Sequence, residues 1–257
     1  MRYLIALFLC LPAPAFAECV ILLHGLARTE VSLTVMQQVL ESEGYDTFAP
    51  GYPSTDLPID ELAAGTLPSA IEACGDQTVN FVAHSMGGIL IRSWMQDHKP
   101  ANMGRVVMLG TPNQGSQLVD ELGDLEVFGL LHGPAGLSLG TGPDSVPLSL
   151  PPVNFELGVI AGRNSLNPVF SAMIEGADDG KVSVQSTAVA GMRDHIVLPV
   201  THTFMMNNPL VIGQTEHFLK YGHFDAELTW IDSLIGPIEE GCEEGQGCDT
   251  SEQEPRE

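Results

Sequence analysis

Positive charge is what this sequence has least of. Its 257 residues include 10 Lys and Arg against 33 Asp and Glu, a formal net charge of −23. A chain so poor in cations repels phosphate, which excludes nucleic acid and anionic membranes as partners. Long apolar runs are equally scarce. Beyond Leu11 no stretch is long enough to cross a bilayer, so no stable membrane insertion is expected. The chain also lacks internal repeats, which excludes solenoid and propeller arrays. No Gly-rich loop with a following Lys is present, which excludes a phosphate-cradling loop after the first strand. The cysteines have no histidine at ligand spacing, so no metal site is expected, and nothing in the sequence requires a cofactor.

What is present starts with an export pattern. Arg2 precedes an apolar run from Tyr3 to Leu11, ended by Pro12 and Pro14. Ala15-Phe16-Ala17 supplies a small-x-small cleavage site. The expected organisation is a signal peptide over 1–17, one domain over 18–236 and an acidic, disordered tail over 237–257. The destination is the periplasm or the medium. Export sends Cys19, Cys74, Cys242 and Cys248 to an oxidising compartment, where three pairings are open. Cys19 opens one strand and Cys74 lies just ahead of another, so these two can meet at one sheet edge. Cys242 and Cys248 would then close a loop in the tail.

Short apolar runs alternate with helical spacing along the first half. Strands are expected at Cys19–Leu23, Tyr45–Ala49, Thr78–Ala83 and Arg105–Gly110. Helices are expected over Ser32–Glu43, Ile59–Ala73 and Met86–Gln96, with a kink or break at Pro68. This order implies an α/β class, with a mainly parallel sheet and helices on both faces. In such sheets the site lies beyond the carboxyl ends of the strands. Later strands are expected at Phe155–Ala161, Val182–Ala190 and Ile196–Val200. Helical pieces are expected at Glu216–Leu219 and Ala226–Ile235. Between about 112 and 152 the alternation fails in a Gly- and Pro-rich stretch with scattered leucines. It reads equally as a lid-like insertion over a site or as a packed surface excursion.

The strongest chemical signal is Ala83-His84-Ser85-Met86-Gly87-Gly88, between a buried strand and a helix. It approaches the G-x-S-x-G elbow, where small residues permit a sharp turn that lifts a serine hydroxyl above the sheet. Ser85 is therefore the expected nucleophile. His24-Gly25-Leu26 follows the first strand. The N–H groups of Leu26 and Met86 are expected to bind an oxyanion, with His24, Gly25 and His84 at the substrate and His24 bracing the loop. A serine needs a base, and the base needs a carboxylate. His202 fits, in the loop that Ile196–Val200 leads into. His195 begins that run and lies at its wrong end. His98, His217 and His223 read as surface or core residues, and His132 lies in the insertion. For the acid, Asp179 directly precedes a Gly turn. Asp178 is its rival, with Asp194 and Glu156 weaker.

Together these motifs, with Thr111-Pro112-Asn113-Gln114-Gly115-Ser116 and Asp179-Gly180-Lys181-Val182, resemble the bacterial secreted lipases and esterases of the α/β-hydrolase superfamily. The resemblance runs from about Val20 to Ile235. It implies the α/β-hydrolase fold, with an Ala-His-Ser-Met-Gly-Gly elbow common in such lipases. By this resemblance Asp179 aligns with the catalytic Asp and His202 with the catalytic His. Calcium-containing relatives carry an aspartate two residues after that His; Phe204 stands there, so no calcium site is expected. The implied activity is hydrolysis of a small-molecule or lipid ester. An acyltransferase, amidase or thioesterase would use the same residues. A non-catalytic binding protein on the same scaffold is the alternative of another class.

Overall fold

The computed structural model describes residues 17–235 apart from 124. The expected signal peptide and tail, with a Cys242–Cys248 pair, lie outside the described residues. Six strands form one sheet: β1 (Cys19–Leu23), β2 (Asp46–Phe48), β3 (Val79–His84), β4 (Met103–Leu109), β5 (Leu157–Gly162) and β6 (Asp194–Leu198). All pairings are parallel, in the order β2-β1-β3-β4-β5-β6. Between the early strands run α1 (Thr34–Ser42), α2 (Ile59–Ala73) and α3 (Met86–Trp94). The segment after β4 carries α4 (Gln117–Leu122), α5 (Glu126–Leu137) and α6 (Val146–Ser149). Two single turns, α7 (Pro168–Ser171) and α8 (Val184–Thr187), lie between β5 and β6. After β6 come α9 (Pro209–Tyr221) and α10 (Asp232–Ile235).

The continuous apolar strands are explained by two cores. Side chains alternate across a strand, so one strand feeds both faces. Cys19, Ile21 and Leu23 of β1 point into one core with Ile59, Leu62 and Leu67 of α2 and Ile89 and Leu90 of α3. Val20 and Leu22 point into the other, against Met36 and Leu40 of α1 and Val211 and Phe218 of α9. Each fully buried Leu, Ile or Phe stabilises by roughly 1.5–3 kcal/mol. Helices therefore cover both faces, as the alternation implied.

Four local expectations change. Residues 182–190 are not a strand: the Ser183 hydroxyl caps α8 by accepting the Ser186 N–H at 3.1 Å, and the chain turns. The helix around 216–219 is longer than its apolar residues suggested. Asn208 caps it, Pro209 takes its first position, and Gly222 ends it with φ 76°. Only Asp232–Ile235 of the piece expected from Ala226 is helical. Helix α2 continues across Pro68, which sits on its exposed side. The Ala64 carbonyl that Pro68 leaves without a donor is open to water.

The segment from 112 to 152 packs on the first core through Ala135, Leu139 and Leu150. Its two ends meet on one buried cation. The Arg92 guanidinium donates to the Asn113 carbonyl at 2.9 Å and its Oδ1 at 3.2 Å. It also donates to the carbonyls of Leu150 at 3.2 Å and Pro151 at 3.3 Å. Burial lowers its pKa to about 10.

Cys19 and Cys74 form a disulfide that ties the end of α2 to the start of β1, with Cα atoms 5.6 Å apart. It closes a loop of 55 residues. Such a crosslink restricts the unfolded chain, an effect of about 2–4 kcal/mol. Replacing both cysteines by alanine should lower the urea-unfolding free energy by that amount. An unchanged midpoint would show that the bridge adds nothing to stability.

Candidate active site

The polar residues gather where the strands end. At the end of β3 the chain turns through Ser85, whose backbone is held at φ 55° and ψ −124°. A non-glycine residue in this region carries roughly 1–3 kcal/mol of strain. Three hydrogen bonds hold it. Its N–H donates to the Leu109 carbonyl at 2.8 Å. Its own carbonyl accepts from the Gly88 N–H at 3.1 Å and the Thr111 hydroxyl at 2.9 Å. The turn then passes under β1 so closely that a Cβ on Gly87 would lie 2.8 Å from the carbonyl oxygens of Leu23 and His24. Only glycine fits there.

The turn brings the Ser85 hydroxyl to 3.0 Å from His202 Nε2. The other ring nitrogen of His202 donates to Asp179 Oδ2 at 2.8 Å. Asp179 is 2% exposed, and its Oδ1 accepts the backbone N–H groups of Lys181 at 3.0 Å and Val182 at 2.8 Å. Its backbone carbonyl accepts the His202 N–H at 2.9 Å. Gly110, at φ 58°, forms the floor: a Cβ there would lie 3.0 Å from Asp179 Oδ2 and 3.1 Å from His202 Nδ1. The rival Asp178 is occupied elsewhere, accepting from the Ser171 hydroxyl at 2.8 Å and the Gly180 N–H at 2.7 Å.

A family model for the alpha/beta hydrolase fold matches residues 18–133. The chain has the α/β-hydrolase fold. A comparison with curated proteins gave no match. Among solved structures the chain is similar to Bacillus licheniformis lipase BlEst2 in mature form, at 23% identity and a TM-score of 0.62. That alignment covers 81% of this chain and 94% of the lipase. It is similar to Aspergillus fumigatus lipase B, at 14% identity and a TM-score of 0.61, over 84% of this chain and 56% of that one. Phospholipase PlaB from Legionella pneumophila, in complex with thio-NAD, is similar at 20% identity and a TM-score of 0.56. Here 67% of this chain and 44% of the phospholipase are covered. The chain spans about half the length of these last two. At such identities the likeness is one of fold.

In this fold the cleft above Ser85 is lined by Leu26, His84 and His202, with a wall from Leu118, Val119 and Leu122 of the inserted segment. His132 also reaches it. Met86 opens α3, so its N–H has no intrahelical acceptor. The Leu26 N–H donates to no backbone carbonyl among the described residues. Both are free to face an oxyanion.

His24 and Gly25, expected at the substrate, do not line this cleft. His24 is 0% exposed and stacks on Tyr52 with ring centroids 3.8 Å apart. Its Nδ1–H donates to the Gly25 carbonyl at 2.9 Å, and the Tyr52 hydroxyl donates to the His24 carbonyl. The pair braces the β1 loop, and Gly25 is buried against the elbow. Glu156 pairs with Arg105 at 2.8 Å and with Arg193 on the surface. Asp194 accepts backbone N–H groups of His195 and Phe224 at 2.8 Å. His195 contacts Thr187 at 2.9 Å, and His98 stacks on Trp94. His217 and His223 contact each other at the end of α9. None of these reaches the cleft.

His84 has a second task. Its Nε2–H donates to the His202 carbonyl at 3.0 Å, and its ring lies 4.8 Å from the His202 ring. Burial first, then the nearby His202, Arg28 and Lys181, drive its pKa well below the ordinary 6.5. Below pH 6.5 the unfolded chain therefore binds a proton at this residue that the native state refuses. The contribution is intact above that pH and is lost as the pH falls, by about 1.4 kcal/mol per unit. Urea unfolding followed between neutral and mildly acidic pH should show a shallower loss of stability for His84→Gln than for the parent. Parallel curves would show that His84 takes up its proton in the folded state.

Proposed function

We propose that this protein is a serine hydrolase of carboxylic esters, of the lipase or esterase kind. One observation carries the reading: a strained serine whose hydroxyl meets an imidazole at 3.0 Å, with a buried carboxylate 2.8 Å behind that imidazole. The similarity in fold to two lipases and a phospholipase supports ester chemistry.

In this reading Ser85 attacks the ester carbonyl while His202 takes its proton. The carbonyl oxygen becomes an oxyanion, held by the N–H groups of Leu26 and Met86. His202 then protonates the departing alcohol, leaving the acyl group on Ser85. Water, activated by the same imidazole, releases the acid and restores the serine. Asp179 keeps Nδ1 protonated and stabilises the imidazolium, and the two backbone N–H groups on its Oδ1 hold it in place. The chemistry is complete with these residues. The inserted segment 112–152 covers the cleft and offers an apolar wall to the acyl chain. The N-terminal pattern and the Cys19–Cys74 bridge support export, because disulfides persist in oxidising compartments.

Ser85→Ala should lower hydrolysis of nitrophenyl esters by at least about 10³-fold without moving the urea midpoint. Asp179→Asn should cost about 10⁴-fold in kcat, because it favours the wrong imidazole tautomer. Full activity in the Ser85 variant would overturn the assignment. A chain-length series on the parent enzyme, with rates rising towards long acyl chains on emulsions, would separate lipase from esterase.

A further inference from the structure

The cleft has an electrostatic character opposite to that of the chain around it. Among the described residues that line it there is no Asp or Glu. Two of only 10 cations line it instead, Arg28 from the loop after β1 and Lys181 from the turn after Asp179. Arg28 Nη2 donates to the Thr203 carbonyl at 2.9 Å, which holds the guanidinium beside the backbone that follows His202. Lys181 sits on the other flank of the same site, its backbone N–H bound to Asp179.

Neither cation has a carboxylate within salt-bridge distance among the described residues. Arg105 and Arg193, by contrast, share Glu156 on the surface. Arg28 and Lys181 are half-buried, and desolvation lowers the pKa of both. Arg28 lowers Lys181 further, so the two repel each other. Asp179 offsets part of the cost at Lys181, but its carboxylate is already bound to His202, so two partly desolvated like charges gain from a ligand that supplies an anion. Leu118, Val119, Leu122 and Phe170 add apolar surface to the same cleft. The cleft is thus amphiphilic, with both cationic and apolar residues in its lining.

We propose that the cleft accepts an ester bearing an anionic group, phosphate or carboxylate, that Arg28 and Lys181 bind while the hydrocarbon part lies on the apolar wall. The proposal rests on Ser85 being the nucleophile of an ester hydrolase, and it names the substrate class for that chemistry. An anion in the leaving group or the acyl part is recognised by charge, while the scissile carbonyl sits over Ser85. The acidic surface then repels anions everywhere except at the cleft, which focuses them there.

The test is a binding comparison on Ser85→Ala protein, which does not depend on turnover. Decyl phosphate, decyl succinate and neutral decyl glucoside are titrated below their micellar concentrations, with inorganic phosphate as a fourth arm. At least one anionic amphiphile should bind about ten-fold or more tightly than the glucoside, and the advantage should shrink with added salt. The tighter of the two anions identifies the headgroup. The advantage should disappear when Arg28→Gln and Lys181→Gln are added, each also made singly so that one folding failure leaves a readable variant. Equal affinity for anionic and neutral amphiphiles, or an advantage that survives both substitutions, overturns the proposal. So does inorganic phosphate binding as tightly as decyl phosphate, which would mark a free-anion site. On the parent protein, kcat/KM for an anionic and a neutral nitrophenyl ester is measured in parallel. Hydrolysis of neither, with the binding preference intact, would sink the ester-hydrolase reading and leave the anion site standing.

Discussion

A serine is held at positive φ because the hydroxyl must stand clear of the sheet while its backbone stays tied to it. The Ser85 N–H still bonds to Leu109 as if β3 continued, yet its carbonyl already belongs to the helix and to Thr111. This double membership is what makes the turn sharp. It demands a residue without a Cβ at 87, because α3 begins directly beneath the β1 carbonyls. It also fixes where the partners must arrive. Strand β6 delivers His202 and the turn after α7 delivers Asp179, and Gly110 leaves room for both beneath their contact. The loss of conformational freedom at one residue thus organises three loops from distant parts of the chain.

Around that turn the charged groups are placed by hydrogen bonds, while His24 Nε2 and His84 Nδ1 are buried without a partner among the described residues. Asp179 is buried, but its two oxygens receive His202 and two backbone N–H groups, so its charge is compensated. Two histidines back the site as neutral rings, and both owe this to burial before anything else. A protonated ring at either place would add charge where none can be solvated. The exceptions are the two cleft cations, Arg28 and Lys181, which form no salt bridge among the described residues.

Much of this was legible in the residues. The apolar runs of β1, β3, β4 and β5 stand out because both faces of the sheet are covered, so no polar alternation interrupts them. Ser85 could be picked from the elbow motif between a strand and a helix, Asp179 from the Gly turn that follows it, and His202 from the loop that a late strand leads into. Other features could not be read from spacing. The turn at 184–187 contains two β-branched residues, Val184 and Thr187, beyond buried Val182 and so imitates a strand; its Ser183 cap marks the helix. Helix α9 runs from the Asn208 cap to Gly222, but its interior is broken by Gly213 and polar residues, which hides the helical stripe. His24 looked like a cleft residue because it follows β1. Its stacking on Tyr52, 28 residues away, is a tertiary contact that no local pattern encodes. Arg28 and Lys181 were visible as letters, yet their meaning depends on the absence of acids in space.

The buried Arg92 has a consequence for how such a cleft can change over time. It gathers the carbonyls of Asn113, Leu150 and Pro151 onto one guanidinium, so the excursion over the cleft leaves and rejoins the sheet at a single anchored knot. Sequence strung between the two feet of that knot can be lengthened, shortened or rewritten while strands and elbow keep their register. The apolar wall that this segment gives the cleft is therefore an exchangeable module, and a common scaffold can be fitted to new cleft shapes by replacing one cassette.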